Sequence, residues 1–175
     1  RGADKAKPAE VKPNPVTATF YITDVKCSGC VSAIEESLKR VPSVTKVEDL
    51  SEASGHAKIS FDTHVASYHQ IAQAVAGTSP LHGEPYVPSL KLQIPDYAKG
   101  DNAAKIDAIF AKQKDYVTVE CRNKEKGLFV LHFKPLTVDG AKTGPQGWNA
   151  GKFGHPVHDP APKGLGLTFQ IVKEK

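Results

Sequence analysis

An α+β fold, in which a βαββαβ sandwich is followed by a second, degenerate unit of the same kind, is predicted by three features of the 175-residue sequence. Residues 16–25, VTATFYITDV, alternate apolar and polar side chains with the period of a half-buried strand. Residues 30–41, CVSAIEESLKRV, bring Val31, Ile34, Leu38 and Val41 onto one helical face. From residue 88 onward a strand, a helix and a hairpin follow one another again.

The first strand sets Val16, Ala18, Phe20 and Ile22 against Thr17, Thr19, Tyr21 and Thr23. The first helix stops at Pro42, which cannot continue the hydrogen-bond ladder. A strand within SVTKVEDL (43–50), a turn rich in Ser, Glu and Gly, and HAKISF (56–61) read as a hairpin, with Ala57, Ile59 and Phe61 on one face. Asp62 or Thr63 is expected to cap a second amphipathic helix that carries Val65, Tyr68, Ile71, Ala72 and Val75 and stops near Gly77. A closing strand must cover the remaining edge, and EPYV (84–87) and LKLQI (90–94) are the candidates. Completed in this way, the order is the split-βαβ, ferredoxin-like arrangement.

The second unit opens with SLKLQI as a strand and continues with NAAKIDAIFAKQ (102–113) as a helix, Asp101 at its N-cap and Ala103, Ile106, Ile109 and Phe110 on its buried stripe. YVTVECR and LFVLHFK pair across NKEKG (123–127), which sets Val117 opposite Phe133, Val119 opposite Leu131 and Cys121 opposite Phe129. Cys121 is therefore expected in the core, as a small hydrophobe. His132 falls on the other face beside Thr118. Residues 135–163 are dense in Gly and Pro and show no helical period, so an irregular loop is expected to replace the second helix of this unit. Trp148 and Phe153 within it are expected to cover the sheet face, docking onto a larger assembly being their other use. GLGLTFQIV (164–172) supplies the last strand. The organisation read from the chain is a disordered leader (1–14), a first domain (15–87) and a second (88–175).

Charge agrees with two units. The net charge of +4 is made up of +2 over residues 1–13, −3 over residues 14–86 and +5 over residues 87–175. The lysines are scattered and not interleaved with aromatics, so nucleic acid is not an expected partner. No apolar run approaches the roughly 20 residues that span a bilayer. The leader RGADKAKPAEVKPNP is charged, rich in Pro and Ala, and lacks an initiator methionine; an exported protein, periplasmic or extracellular, with its signal peptide removed is the expectation.

The chemistry concentrates in VKCSGCVSAIEESL (25–38), where Cys27 and Cys30 stand three positions apart at the mouth of the first helix. The residues by themselves leave a soft-metal clamp, a disulfide switch and a pair of small core residues open. Taken with TFYITDVKCSGC, VSAIEESLKRVPSVTKV, AKISFD and IAQAV, the segment from about Thr17 to Val87 resembles the heavy-metal-associated domain family of copper chaperones, copper-ATPase modules and periplasmic mercuric-ion binding proteins. The resemblance covers a little under half of the chain.

That resemblance implies a metal site at Cys27 and Cys30. Cys27 would lie on the loop and Cys30 in the first helical turn, where unpaired N–H groups and the helix dipole favour thiolate. Two soft sulfurs select Cu(I), the foremost candidate, or Zn(II) or Hg(II), over hard cations. The open site would let a donor or acceptor protein exchange the ion through its own thiol. The loop after the second helix approaches the metal loop in this family, which makes His82 the candidate third ligand and Tyr86 the next. The chain departs from the family's Gly-Met-Thr before the first cysteine, carrying Asp24, Val25 and Lys26. Val25 can pack beneath the loop, and Lys26 would favour the charged thiolates. One additional residue between Val47 and Ala57 suggests a bulge.

The function expected is therefore binding, buffering or delivery of a soft ion. An interaction subunit docking through residues 135–163, with metal incidental, is the alternative, and a thiol-disulfide redox protein is the third reading. No phosphate loop, nucleophile elbow or HExxH is present, so a non-enzymatic role is expected. His56, His64 and His69 are expected on turn or helix surfaces without a role, and His155 with His158 is a weak metal signal.

Overall fold

The computed structural model describes residues 13–172. Along the chain run β1 (Pro15–Ile22), α1 (Ser28–Lys39), β2 (Lys46–Glu48), β3 (His56–Asp62), α2 (Tyr68–Ala76), β4 (Pro88–Gln93), α3 (Asn102–Ala111), β5 (Val117–Asn123), β6 (Leu128–Phe133), α4 (Ala150–His158) and β7 (Gln170–Ile171). The strands form one antiparallel sheet in the order β2-β3-β1-β4-β6-β5, with β7 on β4.

β4 decides this architecture. One of its edges is divided: Pro88 and Ser89 pair with Ile22 and Tyr21 of β1, and Leu92 and Gln93 pair with Ile171 and Gln170 of β7. Its other edge pairs with β6 from Ser89–His132 to Gln93–Leu128. The strand that closes the first ferredoxin-like βαββαβ succession thus opens the second, whose order β7-β4-β6-β5 repeats β4-β1-β3-β2. Alternate residues Pro88, Leu90 and Leu92 are buried, and the two leucines join one core that runs beneath both halves.

An aromatic chain knits that core. Phe61 meets Tyr68 at 5.2 Å between ring centroids, Tyr68 meets Trp148 at 6.1 Å, and Trp148 meets Phe153 at 6.1 Å. The chain continues through Phe110, stacked on Phe153 at 4.9 Å, to Phe129 at 5.1 Å and Tyr97 at 4.8 Å. Trp148 and Phe153 have no exposed surface, which agrees with their expected covering role and removes them as anchors for a partner.

The second helix of the second unit exists, which corrects the expectation of an irregular loop over 135–163. Ala150–His158 is helical although it contains Gly151, Gly154 and Pro156, residues that lower helix propensity and mask the period. Burial of Phe153 and Val157 outweighs that penalty. Gly154 is also required sterically, since an added Cβ would come within 2.7 Å of the Phe169 ring.

Polar side chains of α2 bind the strap that leads to this helix. His69 Nε2 bonds the Lys134 carbonyl at 2.6 Å, and the Trp148 N–H donates to His69 Nδ1 at 3.0 Å. Gln70 Oε1 accepts from Gln146 N, Gln73 Oε1 accepts from Leu136 N, and the Ser67 hydroxyl donates to the Gln146 carbonyl. His69 is therefore buried, not on the helix surface, because the strap's backbone replaces water as its partner. Burial pulls its pKa below the usual histidine range, with the Lys134 bond opposing.

Further corrections are local. Cys121 faces Phe129 as the hairpin register requires, yet it is exposed and not in the core; β5 is an edge strand, and its register slips between Cys121 and Asn123. β2 pairs with β3 without a slip, so the additional residue lies in the 49–55 connection, where Asp49 and Gly55 take left-handed φ of 64° and 68°. α2 starts at Tyr68 because Ser67 and Gln70 form a reciprocal capping box, in place of the caps expected at Asp62 or Thr63. Asp101 flanks α3 without a side-chain cap and pairs with Lys105 at 3.3 Å. Of the expected leader, residues 1–12 lie outside the described residues, while the Asn14 carbonyl accepts from Thr63 N. No helix among the described residues is long and apolar enough to cross a membrane.

Candidate metal centre

The two cysteines owe their proximity to the start of α1. Cys27 is its N-cap, in extended conformation, and its Sγ accepts from Cys30 N at 3.3 Å as a serine or aspartate oxygen would. Cys30 then falls in the first turn, with Sγ 3.1 Å from Cys27 Sγ. Both are free thiols. Val25, two positions before Cys27, is buried. Asp24, where the resembling family places glycine, has φ of 66°. The backbone thus makes the turn a glycine favours, and the aspartate adopts it at a steric cost.

Cys30 has no exposed surface. Burial pushes its thiol up, but hydrogen bonds from the Tyr86 hydroxyl, from Cys27 and from the Lys26 and Cys27 backbone outweigh it, lowering the pKa from the ordinary 9.0 to about 7. Tyr86 is itself pushed up, by burial first and then by donating to Cys30. The side chain of Lys26 is not among the groups that lower Cys30: its Nζ pairs with Glu84 Oε2 at 3.3 Å and Asp24 Oδ1 at 3.8 Å.

The 79–85 loop brings the third donor. His82 Nε2 lies 3.2 Å from Cys27 Sγ, and the donor atoms of Cys27, Cys30 and His82 all fall within 4.8 Å of one another. Cys27 is half-buried and His82 exposed, so the group opens to solvent on the histidine side. Two sulfurs bound at about 2.3 Å to one tetrahedral ion sit roughly 3.8 Å apart. The present 3.1 Å separation is about 0.7 Å short of that. The set therefore fits a soft or borderline ion with room for an incoming ligand.

The structure brings Cys27, Cys30 and His82 together, and it assigns Tyr86 to hydrogen bonding with Cys30. It leaves the other histidines apart. His56 opens β3, His64 follows β3, and His132 pairs with Glu120 at 3.0 Å. His155 bonds Asp159 at 3.3 Å, and neither it nor His158 joins a group of three metal donors among the described residues. The contacts that sequence reading missed are those of Leu81 and Glu84, whose only sequence signal was their place in the histidine loop.

Residues 19–79 match the family model of the heavy-metal-associated domain. That match covers about a third of the chain and includes the CxxC loop. Among solved structures the chain is similar to oxidized MerP from Ralstonia metallidurans CH34, at 24% identity over 43% of this chain and 97% of that one, with a TM-score of 0.36. It is also similar to the water-soluble region of the P-type ATPase CopA from Bacillus subtilis, at 16% identity over 71% of this chain and 80% of that one, with a TM-score of 0.39. A solution structure of the N-terminal soluble domains of Bacillus subtilis CopA gives 16% identity over 75% and 86%, again with a TM-score of 0.39. No curated protein matches the chain.

Proposed function

We propose that this protein binds one soft metal ion, Cu(I) foremost, through Cys27 and Cys30 with His82 as third donor, and buffers the ion or passes it to a partner. The observation that carries this is the meeting of two thiols and an imidazole within 4.8 Å, one thiol held at a pKa of about 7. A ready thiolate lowers the proton cost of metal capture near neutral pH. The exposed histidine side leaves a path for a partner's thiol to enter and displace the weakest ligand. Such exchange is ligand substitution, so the role is non-enzymatic.

Anaerobic titration with Cu(I) against a competing chelator tests the reading. One equivalent should bind, and Cys27→Ser or Cys30→Ser should abolish it. Stronger retention of Zn(II) or Hg(II) under the same competition would reassign the ion. Absence of binding with both thiols reduced would leave the interaction subunit as the better reading, and catalytic turnover of insulin disulfides would favour the redox one.

A further inference from the structure

His82 stands in a stretch that its composition would leave loose. Pro80, Gly83 and Pro85 punctuate it, and Gly83 takes φ of 82°. Three contacts hold it over the thiols. Before the histidine, the Leu81 side chain lies on Gly29, so closely that an added Cβ there would be 2.9 Å from Leu81 Cδ1. The Leu81 N–H also donates to the Tyr86 hydroxyl at 3.3 Å. Beyond the histidine, Glu84 Oε2 accepts from Lys26 Nζ at 3.3 Å. Lys26 immediately precedes Cys27, so this last contact ties the histidine loop to the thiol loop across 58 positions of sequence.

We propose that the Lys26–Glu84 pair is a latch that positions His82 as the third donor to an ion held by Cys27 and Cys30. The inference rests on the soft-metal reading above and assigns positioning roles to two residues that touch no ion. A loop free to wander loses conformational entropy when its histidine binds, and that loss weakens the complex; a loop already pinned loses less. Lys26 suits a tie: its ammonium is shared by Glu84 and Asp24. Both partners are half-exposed, so screening limits the latch to about a two- to fivefold gain in affinity.

The test is a double-mutant cycle read as Cu(I) affinity by chelator competition, on the wild type, Glu84→Gln, His82→Ala and their combination. Glu84→Gln should weaken binding about two- to fivefold when His82 is present and leave it unchanged when His82 is alanine. The difference should shrink as salt rises from low ionic strength to about 0.5 M. The charge swap Lys26→Glu with Glu84→Lys should restore part of the loss, the like charge of Asp24 opposing full recovery. An equal loss with and without His82 would overturn the latch, because the pair would then act on the thiols directly. No loss in either background would overturn it too. A wild type that binds Cu(I) with His82→Ala silent removes the latch and keeps the thiol site, whereas a wild type that binds no Cu(I) removes the soft-metal reading itself.

Discussion

Replacing Tyr86 with phenylalanine isolates one hydroxyl. The ring is buried and would stay so, but the donor to Cys30 and the acceptor for Leu81 N–H would be gone. Burial's upward push on Cys30 remains, so its pKa must climb from about 7 toward 9.0. At pH 7 a thiol of pKa 7 is half ionised, whereas one of pKa 9.0 is about 1% ionised, so the greatest possible loss of thiolate is roughly fiftyfold. Tyr86 is the largest of four contacts that lower the value, and a loss on the order of tenfold is expected. The assay is anaerobic alkylation of Cys30 in a background that carries Cys27→Ser and Cys121→Ser, so that the exposed Cys121 does not report, followed from pH 5 to 10 with and without Tyr86→Phe. The midpoint of the profile is the quantity to read, because intrinsic thiolate reactivity rises with pKa and partly offsets the rate. The same contact has a stability sign. Cys30 has a folded pKa below its unfolded one, so it contributes stability fully above about 9.0, and that contribution is lost as pH falls toward 7. Tyr86→Phe should narrow that window. Identical midpoints in the two proteins would refute the reasoning and leave the backbone N–H groups as the cause.

Three further perturbations probe the frame around the site. His69 is held neutral by burial, with a folded pKa below 6.5; its stabilising contribution is complete above about 6.5 and falls as pH drops toward the depressed value, so thermal melts should show a loss of stability on acidification that His69→Gln flattens. Phe153→Ala removes a fully buried ring packed on Phe110, Trp148 and Phe169, and should cost about 3–5 kcal/mol in urea unfolding; a loss below about 1 kcal/mol would show that α4 is not packed. Asp24→Gly should gain up to about 1 kcal/mol by relieving the left-handed φ, the weak 3.8 Å contact with exposed Lys26 being the smaller loss, and a drop in melting temperature would contradict it.

The thiol pair was legible from sequence because its geometry is local. Three positions at a helix entrance place two side chains on one turn whatever the rest of the chain does. The alternation of β1 and the stripe of α1 were legible for the same reason, since each records a single buried face. The hairpin register of β5 and β6 followed from its turn, but the burial of Cys121 did not, because register names the face and not what covers it. α4 stayed hidden because Gly151, Gly154 and Pro156 blur the helical period that Phe153 and Val157 would otherwise show.

Local pattern and residue type by themselves determined the alternation of elements as far as β6, the buried faces of β1 and α1, and the chemistry of the CxxC turn. Tertiary structure alone decided that β4 serves both halves, that His69 is sealed beneath a strap, that Tyr86 lowers Cys30, and that Lys26 grips Glu84. The physical reason is range. Strand period and helix capping act over a few residues, whereas a hydrogen bond between positions 58 or 65 apart forms only once packing has brought their backbones together.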